Sequence, residues 1–256
     1  MNRNFYPRNT QQRRHQIMQL LQQQGEVSVE QLVKLFETSE VTIRKDLNAL
    51  ESNGFLLRRY GGAILMPTEL LEENDEQFSE RKLAIAKAAA KKIRDHHRII
   101  VDSGSTTATL IKQLDGKQGL VVMTNSLSVA NELRQLENEP MLLMTGGSWD
   151  TRSESFQGKV AEQVLRSYDF DQLFIGADGI DLTRGTTTFN ELVGLSRVMA
   201  EVSREVILMV ESQKIGRKMP NVELTWQQID VLITDDLLRE EDKQQIERLG
   251  VQVIIA

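Results

Sequence analysis

The stretch TSEVTIRKDL, residues 38–47, carries two kinds of chemistry on one turn pattern. Ile43, Leu47 and the following Leu50 recur at helical spacing and mark a buried face. Ser39, Glu40, Val41, Thr42, Arg44 and Lys45 fall outside it. Hydroxyls and free N–H groups at a helix start suit a phosphate oxygen. A guanidinium such as Arg44 suits the O6/N7 edge of guanine, a pairing worth about 1–3 kcal/mol of discrimination. Taken singly, each is as readily a solvated charge, so the elements around them decide.

Those elements read as three helices and a hairpin. RRHQIMQLLQQQG places Ile17, Leu20 and Leu21 on one face and stops at Gly25. VSVEQLVKLFE starts at the candidate N-cap Ser28 and repeats Leu32, Val33 and Phe36. Thr38-Ser39 is the turn, and Ser39 the candidate cap of a third helix from Glu40 to about Asn53. LLRRYGGAILM then alternates around Gly61-Gly62 as a small β-hairpin. This order is that of a winged helix-turn-helix over residues 8–65, with the helix-turn-helix at about 27–46. Its second motif helix would enter the major groove of duplex DNA. Arg14, Ser28, Arg58, Arg59, Tyr60, Gly61 and Gly62 complete the candidate DNA-binding set, the last five as the wing.

A second chemistry follows. SGSTT, residues 103–107, succeeds the apolar run RIIVD and precedes a helical stretch, a loop able to cradle phosphate. The same pattern of small polar residues after a strand recurs at Thr124-Asn125-Ser126, Gly146-Gly147, Gly176-Ala177-Asp178-Gly179-Ile180-Asp181 and Thr186-Thr187-Thr188-Phe189-Asn190-Glu191. One such loop is an ordinary turn; five on one edge make a pocket for a polyhydroxylated, phosphorylated ligand. The candidate set is Asp102, Ser103, Gly104, Ser105, Thr106, Thr107, Thr124, Asn125, Ser126, Gly146, Gly147, Asp178, Asp181, Thr187, Thr188, Asn190, Glu191 and Lys214. Carboxylates at Asp102, Asp178, Asp181 and Glu191 would accept from sugar hydroxyls, and Lys214 would neutralise phosphate. The strand runs 98–102, 120–124, 140–145, 171–178, 205–210 and 230–234 alternate with helices, which predicts an α/β domain over 81–256 with a mainly parallel sheet. Ligands of such sheets sit outside the carboxyl ends of the strands. Residues 66–80, rich in carboxylates after Pro67, read as an acidic linker or solvated helix face.

Composition agrees with this division. The chain of 256 residues has net charge −6, yet residues 1–62 hold nine Lys/Arg against six Asp/Glu and the remainder is acidic. DNA is therefore a partner for the N-terminal part alone. There is no Cys, which excludes disulfides and thiolate metal sites. The polar start and the lack of an apolar run of membrane-spanning length predict a cytoplasmic chain without a membrane partner. No cofactor and no metal are expected, and a homodimer or homotetramer is, because tight operator binding uses two symmetric half-sites.

Residues 13–63 resemble the N-terminal domain of the DeoR family of bacterial transcriptional repressors. The carrying residues are Gly25, Leu32, Ser39, Thr42-Ile43-Arg44-Lys45-Asp46-Leu47, Leu50, Gly54, Arg58 and Tyr60-Gly61-Gly62-Ala63. The family often has Arg in place of Lys45, a change that removes a bidentate fork. DSGSTT, TNS, TGG, GADGID and TTFNE are similar to the family's effector domain, which resembles phosphosugar isomerases and responds to a sugar phosphate. TTFNE with RKDLNALE is most similar to the glucitol and galactitol (hexitol) operon repressors. Where the family commonly shows Asp-Ser-Ser-Lys-Phe, this chain has Glu211-Ser212-Gln213-Lys214-Ile215. The resemblance implies a repressor of a carbohydrate or sugar-alcohol operon released by a phosphorylated effector, and not an enzyme. A sugar-phosphate isomerase is the alternative, since GADGID resembles the GADEID stretch of ribose-5-phosphate isomerase. The isomerases continue with Lys-Gly-Gly-Gly and a catalytic Glu, where this chain reads Arg184-Gly185-Thr186-Thr187-Thr188. A protein-binding role for the helix-turn-helix is a further alternative.

Overall fold

A computed structural model describes residues 10–52, 56–59, 61–65, 76–150, 153–188, 193–219 and 221–256. The chain divides into two compact units between Asn74 and Asp75.

The first unit runs α1 (Thr10–Gln24), β1 (Glu26–Ser28), α2 (Val29–Phe36), α3 (Glu40–Ser52), β2 (Leu56–Arg59) and β3 (Gly62–Leu65). The Ser28 hydroxyl accepts from the Gln31 N–H and the Gln31 side chain answers the Ser28 N–H, a capping box that fixes the start of α2. Ile17, Leu21, Leu32, Phe36, Ile43, Leu47 and Leu50 meet in one core with Val27, Leu56 and Ala63. The three strands form an antiparallel sheet in the order β1-β3-β2. Sequence periodicity did not show β1, which is three residues long and ends on the cap of α2. Its pairing explains Gly62: a Cβ there would lie 2.3 Å from the Val27 carbonyl oxygen. Asp46, buried on α3, ties this helix to α1 by accepting from Arg13 Nε at 2.5 Å and Arg14 Nε at 2.9 Å.

The second unit begins with α4 (Glu76–Ala90), β4 (Arg98–Val101), α5 (Ser105–Ile111), β5 (Val121–Thr124), α6 (Leu127–Leu133) and β6 (Met141–Met144). The hairpin β7 (Ser148–Asp150) and β8 (Ser155–Gln157) leads to α7 (Lys159–Leu165) and β9 (Phe170–Ile175). Next come β10 (Gly179–Asp181), β11 (Gly185–Thr188), α8 (Gly194–Glu201), β12 (Ser203–Met209) and β13 (Asn221–Thr225). The unit closes with β14 (Val231–Thr234), α9 (Glu240–Arg248) and β15 (Gln252–Ile255). Residues 76–80, within the segment read as linker, thus belong to α4, and 66–75 lie outside the described residues.

Seven strands pair in parallel in the order β15-β14-β12-β9-β4-β5-β6. Their continuous apolar runs are explained by burial on both faces. One face packs Ile100, Leu173 and Leu208 with residues of α7, α8 and α9; the other packs Ile99, Phe174 and Ile207 with α4, α5 and α6. The chain starts in the middle at β4, winds out to β6, returns to β9 and winds out to β15. Strand order therefore reverses between β4 and β9, and the crevice outside their carboxyl ends is where such sheets take ligands. β10, β11 and β13 make a separate antiparallel sheet. This corrects one expectation: Thr186-Thr187-Thr188 do not follow a strand of the parallel sheet but lie inside β11, with all three buried.

Candidate functional site

The start of α3 presents its outward residues together. Ser39 Oγ accepts from the Thr42 N–H at 3.2 Å and shares a hydrogen bond with Thr42 Oγ1 at 2.8 Å. Val41 is 64% exposed, a large apolar side chain in water beside the exposed Arg44 and Lys45. Such a side chain matches a thymine methyl group, as Arg44 matches guanine. Arg44 lies against Glu40 one turn earlier, at 2.5 Å. The remaining residues of the predicted set have internal partners. Arg14 is held by Asp46. Arg58 donates from its guanidinium to Asn48 at 3.0 Å and from its backbone N–H to Glu51 at 2.9 Å. Ser28 caps α2, the Gly61 carbonyl accepts from the Val29 N–H at 2.8 Å, and Gly62 makes the close approach to β1. The Arg59 side chain and Tyr60 lie outside the described residues.

At the switch point, the loop between β4 and α5 is shaped by its own residues. Gly104 has φ 143, a conformation open to glycine, and a Cβ there would meet Thr107 Oγ1 at 3.2 Å. Thr107 Oγ1 donates to the carbonyls of Asp102 at 2.8 Å and Gly104 at 3.0 Å. Asn125 Oδ1 accepts from the Ser103 N–H at 3.1 Å, fastening the loop to the end of β5. The N–H groups of the first turn of α5 have no acceptor within the helix. A cation reaches this loop from a residue the sequence reading missed. Lys82, on α4 and 7% exposed, donates to Ser105 Oγ at 2.9 Å. It also pairs with Glu211, just past β12, at 3.8 Å, and Thr106 Oγ1 donates to the same carboxylate at 3.2 Å. Lys214 lies 4.0 Å from Glu211.

Carboxylates gather near Asp102 at the start of this loop. Asp178, past β9, accepts from Thr188 Oγ1 at 2.6 Å. Glu223 of β13, also missed, accepts from Ser196 Oγ at 2.6 Å and from Thr186 Oγ1 at 3.4 Å. Burial pushes Glu223 up to about 7, against the Ser196 hydrogen bond and with repulsion from Asp102 and Asp178. Burial likewise pushes Asp102 up to about 6, against donation from Ser103 and Asn125 and with repulsion from Asp178. The three therefore share one field. Nothing in the sequence pattern distinguished Lys82 from its neighbours in an alanine-rich helix, or Glu223 from a solvent-facing strand residue.

The other predicted positions separate from this centre. Asp181 is buried, and its oxygens accept from the Thr183 N–H at 2.9 Å, Thr183 Oγ1 at 2.7 Å and Arg184 Nε at 2.8 Å. Burial works against its charge, but these bonds and Lys218 outweigh it and hold the carboxyl below its usual range. Its acceptors are engaged by the turn after β10 and not by the crevice. Thr187 Oγ1 accepts from the Met219 N–H at 3.1 Å. Thr124 Oγ1 accepts from the Ser126 N–H at 3.1 Å, and Ser126 caps α6. Gly146 and Gly147 enter the β7–β8 hairpin at the far edge, two strands from β4. Asn190 and Glu191 lie outside the described residues. Among the described residues no His/Cys/Asp/Glu group could hold a metal, and no helix is long and apolar enough to cross a membrane.

Known proteins match nearly the whole chain. A protein of Escherichia coli O157:H7 named for transcriptional repression of an aga operon is 39% identical over 96% of this chain and 94% of its own length. The transcriptional regulator GolR of Listeria innocua is 32% identical over 96% and 98%. GlpR of Haloferax volcanii is 31% identical over 95% and 96%. Among solved structures, ribose 5-phosphate isomerase A of Methanocaldococcus jannaschii overlaps 54% of each chain at 21% identity and a TM-score of 0.40. The relatives are regulators, which sets the isomerase alternative aside. Residues 13–69 match the DeoR-like helix-turn-helix domain and residues 77–236 the DeoR C terminal sensor domain, so the chain belongs to the DeoR family of DNA-binding transcriptional regulators.

Proposed function

We propose that this regulator represses a carbohydrate or sugar-alcohol catabolic operon in the cytoplasm and is released by a phosphorylated sugar or hexitol. Val41, Thr42, Arg44 and Lys45 read operator bases while Ser39 and neighbouring N–H groups hold phosphate. The effector lies in the crevice between β4 and β9, its phosphate on Ser103–Thr107 and its hydroxyls toward Asp102, Asp178 and Glu223. The observation that carries this reading is the contact of buried Lys82, itself paired with Glu211, with Ser105, which brings an ammonium group to a loop whose electrostatic field includes Asp102, Asp178 and Glu223. A cation at one end and acceptors at the other suit a ligand with one anionic end and a hydroxylated body. The repressor name of the aga-operon relative supports the sign of regulation.

Release follows if the ligand prefers the arrangement in which two winged units no longer match the half-site spacing. This requires a homodimer or homotetramer. Exposed Leu127, Trp149 and Val160 in the second unit supply apolar surface for it. Sedimentation of a monomer at micromolar concentration, with and without operator, would remove this part. The effector is tested by a melting screen of phosphorylated hexitols and hexoses, since ligand at a hundred times its Kd adds about 2.7 kcal/mol. The selected compound must then displace the chain from its operator; stabilisation without displacement refutes the inducer role.

A further inference from the structure

The amino ends of the parallel strands, opposite the crevice, hold a second constellation. Arg98 opens β4, Asp171 is second in β9 and Arg204 second in β12. The register pairs Ile99 with Gln172 and Gln172 with Glu205, which sets Arg98, Asp171 and Arg204 in one row across three neighbouring strands. Alternation puts that row on the side of Ile100, the side covered by α7 and α8. Arg166, at the C-cap of α7, joins it, and with Ser167, Tyr168, Asp169 and Phe170 these residues line a cavity of about 460 Å3, three arginines and two aspartates among them.

Arg98 is held but not satisfied. Its guanidinium carbon lies 5.7 Å from the centre of the Tyr168 ring and 5.8 Å from that of Phe170. Its Nε is buried and has no hydrogen-bond acceptor among the described residues. Asp171, the nearest carboxylate in the row, takes the Arg98 backbone N–H at 2.8 Å and stands 3.6 Å from Arg204. Arg166 pairs with Glu201. The opposite side of the same strands shows the contrast. There Gln172 Nε2 donates to Glu205 at 2.7 Å, Lys92 pairs with Glu205 at 2.6 Å, and His97 Nδ1 meets Gln172 Oε1 at 3.2 Å, a closed polar network. The buried Nε faces away from solvent, so the cavity meets the guanidinium at its terminal nitrogens, and a guanidinium fixed by aromatic rings is already oriented for a planar oxyanion.

We propose that this cavity is a second small-molecule site, taking an organic oxyanion, phosphate or carboxylate, on Arg98. Arg166, paired with Glu201, and Arg204, beside Asp171, offer further guanidinium donors at its mouth, and the Tyr168 ring covers the ligand's carbon skeleton. Its volume falls within the usual range for small-molecule pockets. The site is separate from the crevice because it lies at the other end of β4 and β9.

The test is calorimetric titration of the full chain with inorganic phosphate and, separately, succinate. A Ser105→Glu background removes the crevice loop as a phosphate site. In that background one of the two anions should bind at one site per chain, and Arg98→Met should lower its affinity at least tenfold. Arg98→Lys, which keeps charge and loses the fork, should fall between. Should Arg98→Met fail to fold, Arg166→Gln and Arg204→Gln, both at exposed side chains, should each weaken binding several-fold. Retention of full affinity in these variants would overturn the site. So would the absence of saturable binding of either anion up to about 10 mM, beyond the millimolar affinity a preorganised contact set supplies.

Discussion

Lys82 on α4 donates to Ser105 Oγ in the loop after β4 at 2.9 Å, although 23 residues separate them. This bond brings an ammonium group to the point where a phosphate would rest. Ser105→Glu should place a carboxylate there, repel the phosphate and abolish response to the inducer while operator affinity stays within a few-fold. Titration of the operator complex with the compound from the melting screen reads this out. Release of the variant as readily as the unmodified chain would show that phosphate does not sit on this loop.

Arg44→Ala should weaken operator binding by about 1–3 kcal/mol, the worth of a bidentate base contact, and random DNA binding by much less. Glu40 faces Arg44 in the free chain, so Glu40→Ala should raise affinity for both DNAs by removing a negative charge near phosphate. Mobility shifts on operator and scrambled duplexes decide. Equal losses on the two for Arg44→Ala would remove the base-reading role.

Asp46→Ala should leave Arg13 and Arg14 without their shared buried partner and destabilise the first unit by about 3–5 kcal/mol. Calorimetry of the full chain should show the loss of operator binding together with an earlier transition. An unchanged melt would mean that the arginines find solvent without cost.

Glu223 and Asp102 keep protons in the folded chain that the unfolded chain gives up at lower pH. Glu223 stands at about 7 against an ordinary 4.5, and Asp102 at about 6 against 3.8. Their contribution to stability is therefore full below the unfolded values and is lost as pH rises to 6–7. Asp181, shifted down, acts the other way, contributing above the ordinary carboxylate range and losing its effect on acidification. Glu223→Gln should flatten the decline between about pH 4.5 and 7, recovering roughly 3 kcal/mol at neutral pH. Denaturant melts across that range measure it; a parallel decline in variant and parent would contradict the assignment.

The legible part of the fold was the part written in periodicity. Ile43, Leu47 and Leu50 at helical spacing, and runs such as Ile99-Ile100-Val101, announce what they bury. What escaped was set by partners distant in sequence. Thr186–Thr188 read as a polar loop because a threonine strand buried by pairing with β10 and β13 has no apolar signature. β15, the run Gln252–Ile255, went unread although it is as long as β4 and β5. Asp181 showed the right residue type for a sugar ligand, yet its own turn consumes it. Lys82 and Glu223 carry no local mark, since their roles arise only when α4 and β13 fold onto the strand ends.

The position of Lys82 also governs how this sensor can be moved between proteins. A cut inside α4 just after Lys82 would leave that lysine behind with the donor head. On the proposed site, such a graft would lose the ammonium that meets Ser105 and with it the response to a phosphorylated ligand. A fusion joined before Glu76, where α4 begins, transfers the ammonium together with the loop it serves. The junction, more than the choice of DNA-binding head, would decide whether the chimera answers.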